Sequence, residues 1–374
     1  MRAKSNRRGK VAVAALAATA AGSLAFGIAV GMTPASDPPA ASRLTIPQLA
    51  GQRFVFGFTG TSVPPAVARL IREGGAAGVV LFAGNFPTRD AGRRLIRRLQ
   101  GIPRPPRLRD PLLVMTDQEG GLVKRVSGAP RASAEQMGAR GAAYSREQGR
   151  LTARNLRDVG VNVDLAPVLD VARPGGVIAD TDRGFGSTAE RVAATGAPFA
   201  TALQEGGVAA TAKHFPGLGA ARENTDFAVQ RLAIPKRRLR SVDERPYEPY
   251  VATGGSLVMI SSAIYPAFSQ KPASLSRSIA VGELRSRLGF RGVSATDALG
   301  SAAVKAVGGS TRAALAAAKA GTDLLLFSDY RAAARAQRAL RRKLREGKVD
   351  RDRAEVSAQR VLTLRHRLRV GSLP

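Results

Sequence analysis

The chain has 374 residues, 44% of them hydrophobic, and no cysteine, which excludes disulfides and thiolate metal sites and leaves enough apolar chain for a core that needs no staples. Its 58 Lys and Arg against 28 Asp and Glu give a formal net charge of +30, yet the basic residues are spread through helical segments such as RRLIRRLQ at 93–100 with no aromatic-basic motif beside them. Solvated helix faces therefore come first as the reading of the surplus, attraction to an anionic envelope second, and nucleic-acid binding third.

The first 45 residues stand apart from the rest. A basic start (MRAKSNRRGK) precedes an Ala/Gly-rich apolar run from Val11 to about Val30, and a polar Pro-rich stretch follows. This pattern predicts a signal peptide or an uncleaved membrane anchor with a linker, since the run is long for a signal and about long enough to span a bilayer. No Cys follows it, which excludes a lipoprotein anchor. A secreted or envelope location is expected, with a membrane tether as one of its two forms.

Residues 46–374 are expected to form one domain, because a second large one would need more chain. Apolar runs recur there in the order FVFGF (54–58), GVVLF (78–82), PLLVMTD (111–117), VNVDLAP (161–167), VAATAKHF (208–215), SLVMISS (256–262), GVSATD (292–297) and TDLLLFS (322–328). Near-continuous runs of this length suit strands buried on both faces of a parallel sheet. Helical patterns lie between them, among them SREQGRLTARNLRDVG (145–160) and TRAALAAAKAG (311–321). Val361, Leu364 and Leu368 mark a closing helix. Eight strands alternating with helices predict an α/β fold of the (β/α)8 TIM-barrel type.

In such barrels the chemistry sits where strands end and the following loops begin. Asp117 closes the third run and Asp297 the seventh; Lys213 and His214 end the fifth, while Asp170, Asp182 and Arg183 follow the fourth. Charges this close to apolar strand ends are costly unless paired or functional.

The residues at these ends carry a resemblance. LLVMTDQEGG-x-V-x-R (112–125), NVDLAPVLDVA (162–172), DRGFG (182–186), KHFPGLG (213–219) and GFRGVSATDALG (289–300) together resemble glycoside hydrolase family 3, in family order over about residues 50–330. The single-domain bacterial β-N-acetylhexosaminidases are the branch they look most like. The resemblance implies a retaining mechanism on terminal β-linked GlcNAc of glycans or cell-wall fragments. It makes Asp297 the nucleophile, where the alternative is a carboxylate that only caps the next helix. It makes Asp117, Arg125, Arg183, Lys213 and His214 sugar contacts. Asp117 could instead be a structural partner of Arg125 or Lys213, and Arg183 a rim ion pair with Asp182. Asp164 and Asp170 read as mainly structural.

One motif departs from the branch. Its acid/base comes from an Asp-Ser-His element after the fifth strand, and that place here holds Asn224-Thr225-Asp226. Leu218 and Ser262 also stand where the branch often has His. Asp226 is thus the candidate general acid/base, with Glu223 on the same loop as fallback. Alternatively, the natural leaving group needs no strong acid, or the protein is a non-catalytic envelope sugar-binder. Family 3 β-glucosidases take their acid from another domain, for which this chain has no room. No metal, cofactor or nucleic-acid partner is expected: the two histidines lack ligand spacing and no nucleotide fingerprint appears. The expected partner is a carbohydrate, and the expected state a monomer.

Overall fold

The computed structural model describes residues 37–374. Each of the eight apolar runs contributes one strand: β1 (Phe54–Phe56), β2 (Gly78–Val80), β3 (Leu113–Thr116), β4 (Val163–Asp164), β5 (Ala209–Phe215), β6 (Leu257–Ile260), β7 (Val293–Thr296) and β8 (Leu325–Phe327). Neighbours are parallel in the order β8-β1-β2-β3-β4-β5-β6-β7. A parallel bridge between Ala295 and Leu324 joins the two ends. Across it Thr296 N donates to Leu324 O at 2.9 Å, and Leu324 N to Ser294 O at 2.8 Å. The sheet is a barrel, as the alternation of strands and helices predicts.

The two-sided burial that makes the runs continuous is visible residue by residue. Leu113 and Met115 of β3, Leu257 and Met259 of β6, and Leu324 and Leu326 at β8 pack together inside the barrel. Their neighbours Val114, Val258, Leu325 and Phe327 face the surrounding helices. Successive side chains of a strand point to opposite faces, so a strand covered on both sides has no polar position to spare.

The helices predicted at 145–160 and 311–321 span Ala142–Val159 and Ser310–Ala320. The second ends on Gly321 at φ +96°, a left-handed cap that glycine adopts without strain. The closing helix, Arg351–Val370, sends Val361 and Leu364 into the interior cluster from the end where the strands start. Its Arg365 is fully buried there and donates to the carbonyls of Pro111 and Leu108, both at 2.9 Å, and to Gln52. Burial lowers its pKa to about 9. A buried guanidinium is tolerable only because its N–H groups find such acceptors.

Directly after β3 the chain makes an antiparallel hairpin, Gln118–Gly120 with Val123–Lys124, which the periodicity of the sequence does not announce. Among the described residues no helix is long and apolar enough to cross a membrane. The basic and apolar segment expected to direct export, residues 1–30, lies outside the described residues.

Candidate active site

At the ends of the strands, opposite the closing helix, a cavity of about 370 Å³ opens. Asp117, Arg125, Arg183, Lys213, His214, Asp226 and Asp297, drawn from four separate loops and strand ends, all line it. Apolar walls come from Val80, Leu165, Met259 and Leu326. Glu223 and Ser262 do not reach it, whereas Leu218 does.

The hairpin after β3 supplies two of the polar groups, and Gln118 builds it. This buried side chain donates from Nε2 to Val126 O and Ala129 O, both at 2.7 Å, and accepts from the backbone N–H groups of Arg125 (3.0 Å) and Val126 (2.9 Å). Its own N–H donates to Asp164 at 3.0 Å. Gly120 and Gly121 then turn the chain at φ +100° and +54°. Asp164 is thus a structural acceptor beneath the site, and burial holds its carboxyl well above the ordinary range.

Two carboxylates and two cations form the cavity floor. Lys213 Nζ lies 2.7 Å from both Asp117 Oδ1 and Glu119 Oε1. Arg183 grips Glu119 through two bonds of 2.8 Å. Burial opposes charge on Glu119, but Lys213 and Arg183 outweigh it and push the carboxyl far below its usual range. Burial likewise opposes the ammonium of Lys213, yet Asp117 and Glu119 raise its pKa above the ordinary lysine value. Glu119, Lys213 and Arg183 are therefore ionised at neutral pH. The alternative rim pairing of Arg183 with Asp182 is not formed; the guanidinium is held by both oxygens of Glu119 instead. Asp117 forms the pair with Lys213 that the sequence offered as its alternative role, and it also lines the cavity.

His214 is set by Asp170. The imidazole Nδ1 lies 2.7 Å from Asp170 Oδ2, while the backbone N–H groups of His214 (3.1 Å) and Leu218 (2.6 Å) donate to Oδ1. With Nδ1 engaged by Asp170, the other ring nitrogen, Nε2, is left for the cavity. The loop itself is pressed against the segment after β4, since a Cβ at Gly219 would overlap the Val171 carbonyl oxygen.

Asp297 follows β7, with its N–H donating to Ile260 O at 3.1 Å and its Oδ1 accepting from Ala298 N at 2.7 Å. Among the described residues Oδ2 accepts nothing. Asp226 stands on the cavity rim, its backbone fixed by Ala302 N donating to its carbonyl at 3.1 Å. Partial burial raises its pKa, and the charges of Asp297 and Asp117 raise it further, against the lowering by His214 and Arg183.

A model of the glycosyl hydrolase family 3 N-terminal domain matches residues 46–364. The chain belongs to glycoside hydrolase family 3. A secreted glycosyl hydrolase of Arthroderma benhamiae, itself uncharacterized, is 37% identical over 75% of this chain and 81% of its own length. A β-hexosaminidase of Thioalkalivibrio sulfidiphilus is 36% identical over 72% of this chain and 79% of its own. Among solved structures, a family 3 β-N-acetylglucosaminidase from Paenibacillus sp. str. FPU-7 matches with a TM-score of 0.82 at 33% identity, covering 87% of this chain. This chain spans 63% of that protein's length.

Within this family 3 barrel, Glu119 is the cavity residue that sequence reasoning passed over. It stands in the DQEGG motif two places from Asp117, and a second acid so close to a strand end was the available signal. Replacing it by Gln leaves Lys213 and Arg183 buried without the carboxylate that bridges them. Charges that lose a partner in such a setting move or recruit water, and an error of about 1 Å in a binding group can cost about 10²-fold in rate. Steady-state kinetics of Glu119→Gln should show kcat/KM lower by about 10²-fold. A value within about threefold of the wild type would remove Glu119 from the positioning of Lys213 and Arg183.

Proposed function

We propose that this family 3 protein is a retaining β-N-acetylhexosaminidase-like hydrolase, exported from the cytoplasm, that removes terminal β-linked GlcNAc from glycans or cell-wall fragments. One observation carries the reading: a carboxylate with a free oxygen, Asp297, and a carboxyl of raised pKa, Asp226, line the same cavity as the five residues matched to sugar contacts. Asp297 attacks the anomeric carbon to form a glycosyl-enzyme, and Asp226 protonates the departing oxygen. Asp226 then takes the proton from the water that hydrolyses the intermediate. Asp117 and His214 Nε2 accept from sugar hydroxyls, while Lys213, Arg183 and Arg125 donate to their oxygens.

The substrate class rests on the activities of the β-hexosaminidase and β-N-acetylglucosaminidase relatives. Export rests on the N-terminal pattern of residues 1–45 and on the description of the Arthroderma relative as secreted. The test is turnover of an aryl β-N-acetylglucosaminide against the matching aryl β-glucoside by the purified protein. The acetylated sugar should be hydrolysed with the higher kcat/KM. Calorimetric binding of GlcNAc without turnover of either glycoside would assign the cavity to sugar binding alone.

A further inference from the structure

The helix that follows β8, Tyr330–Arg345, and the one that follows β1, Pro65–Arg72, enclose a groove of about 450 Å³ on the barrel's outer wall. Arg69, Arg331, Arg335, Arg338 and Arg341 line it, with Glu73 as its single acid. Of these, Arg69, Arg331, Arg335 and Arg338 are exposed and enter no ion pair among the described residues. Arg341 Nε is buried without an acceptor, and burial lowers the pKa of that guanidinium. Arg331, Arg335 and Arg338 follow one another at i, i+4 and i+7, so like charges stack along one stripe and destabilise the bare helix. The groove and the active-site cavity are close along the chain, since Ser328 lines the cavity and Tyr330, two residues on, lines the groove.

We propose that this groove binds a linear, base-free phosphodiester polymer of the cell envelope and so holds the cavity mouth beside wall glycans. The guanidinium fork matches phosphate oxygens bidentately, and neighbours on the stripe are about 5–6 Å apart, a spacing that a single flexible polyanionic strand can follow. Nucleic acid fits less well, because base stacking needs free aromatic faces. The groove offers Tyr330 alone, and the Arg331 guanidinium already lies 5.0 Å from that ring's centroid. A membrane surface also fits less well, since interfacial helices insert large apolar side chains. The exposed ones among the described residues, Leu122, Phe227, Val229, Val356 and Val370, all lie on other segments. Binding of a phosphodiester strand stands on this face alone and holds whether or not the cavity hydrolyses glycosides, whereas the envelope as its source and the placement beside wall glycans rest on the proposed export and substrate.

The test compares three full-length proteins: wild type, the groove triple Arg331→Gln/Arg335→Gln/Arg338→Gln, and the control triple Arg150→Gln/Arg154→Gln/Arg157→Gln. The control removes the same charge from a patch where Glu147 pairs with Arg150 and Asp158 lies among the arginines. The probe is labelled poly(glycerol phosphate), with single-stranded DNA and phosphatidylglycerol vesicles as competitors, and thermal unfolding verifies that each variant folds. At about 0.15 M salt the groove triple should bind at least about 10-fold more weakly, with a log–log salt slope shallower by about 2. The control should change less than about twofold. Equal losses in both triples would reduce the effect to bulk charge and overturn the proposal. Tighter binding of DNA or vesicles, lost in the groove triple, would overturn the choice of polymer.

Discussion

Asp297→Asn should abolish glycoside turnover while leaving the fold and GlcNAc binding in place. Oδ1 of Asp297 is committed to the Ala298 N–H at 2.7 Å, a bond that an asparagine carbonyl oxygen makes equally well. Asn and Asp are about equal as helix caps, so a residue whose only task was capping would survive this substitution. What asparagine cannot supply is the second, anionic oxygen that faces the cavity with no acceptor duty of its own. Removing a covalent nucleophile costs about 10⁴-fold or more in kcat. Turnover of the aryl β-N-acetylglucosaminide, measured alongside calorimetric GlcNAc binding, separates the two roles. A variant that keeps more than about a tenth of the wild-type kcat would return Asp297 to capping.

Much of this site could be read before any coordinates because the barrel forces it. Strands covered on both faces write themselves as apolar runs, and the first polar residue after each run must lie at the rim. Asp117, Asp297 and the Lys213-His214 pair were legible on that ground, and the loop residue Asp226 by position within a motif. Of the partnerships, Asp117 with Lys213 was among the alternatives the sequence offered, and the others were not legible. Asp170 and His214 are 44 residues apart, and Arg183 and Glu119 are 64 apart. Only the folded barrel brings them together, so sequence proximity could suggest Asp182 as the alternative partner of Arg183 but could not reveal Glu119. Asp243 escaped for the same reason. It is buried against Arg173 through two bonds of 2.8 Å, and burial pushes its carboxyl to about 6. Arg365 shows the converse error of composition: one member of a basic helix is the buried plug of the barrel floor rather than part of its solvated face.

The altered loop after β5 yields the second large effect. Asp226→Asn should lower kcat/KM about 10²–10⁴-fold on glycosides with poor leaving groups, and less than about 10-fold on those with activated aryl groups. The asymmetry follows from the role: protonation of the departing oxygen matters in proportion to that oxygen's basicity. Burial and the charges of Asp297 and Asp117 hold the carboxyl protonated to higher pH than a free aspartate, which is the state an acid must be in before the first step. The alkaline limb of the wild-type pH profile should therefore report Asp226, and that limb should vanish in the variant on activated substrates. The backbone of residue 226 stays held by Ala302 N and by Asn224 Oδ1, so the loop keeps its place when the side chain changes. Glu223 lies outside the cavity, and Glu223→Ala should cost less than about threefold. If the leaving-group dependence appears in Glu223→Ala and not in Asp226→Asn, the proton comes from Glu223, and the carboxyl in the histidine's place only shapes the pocket.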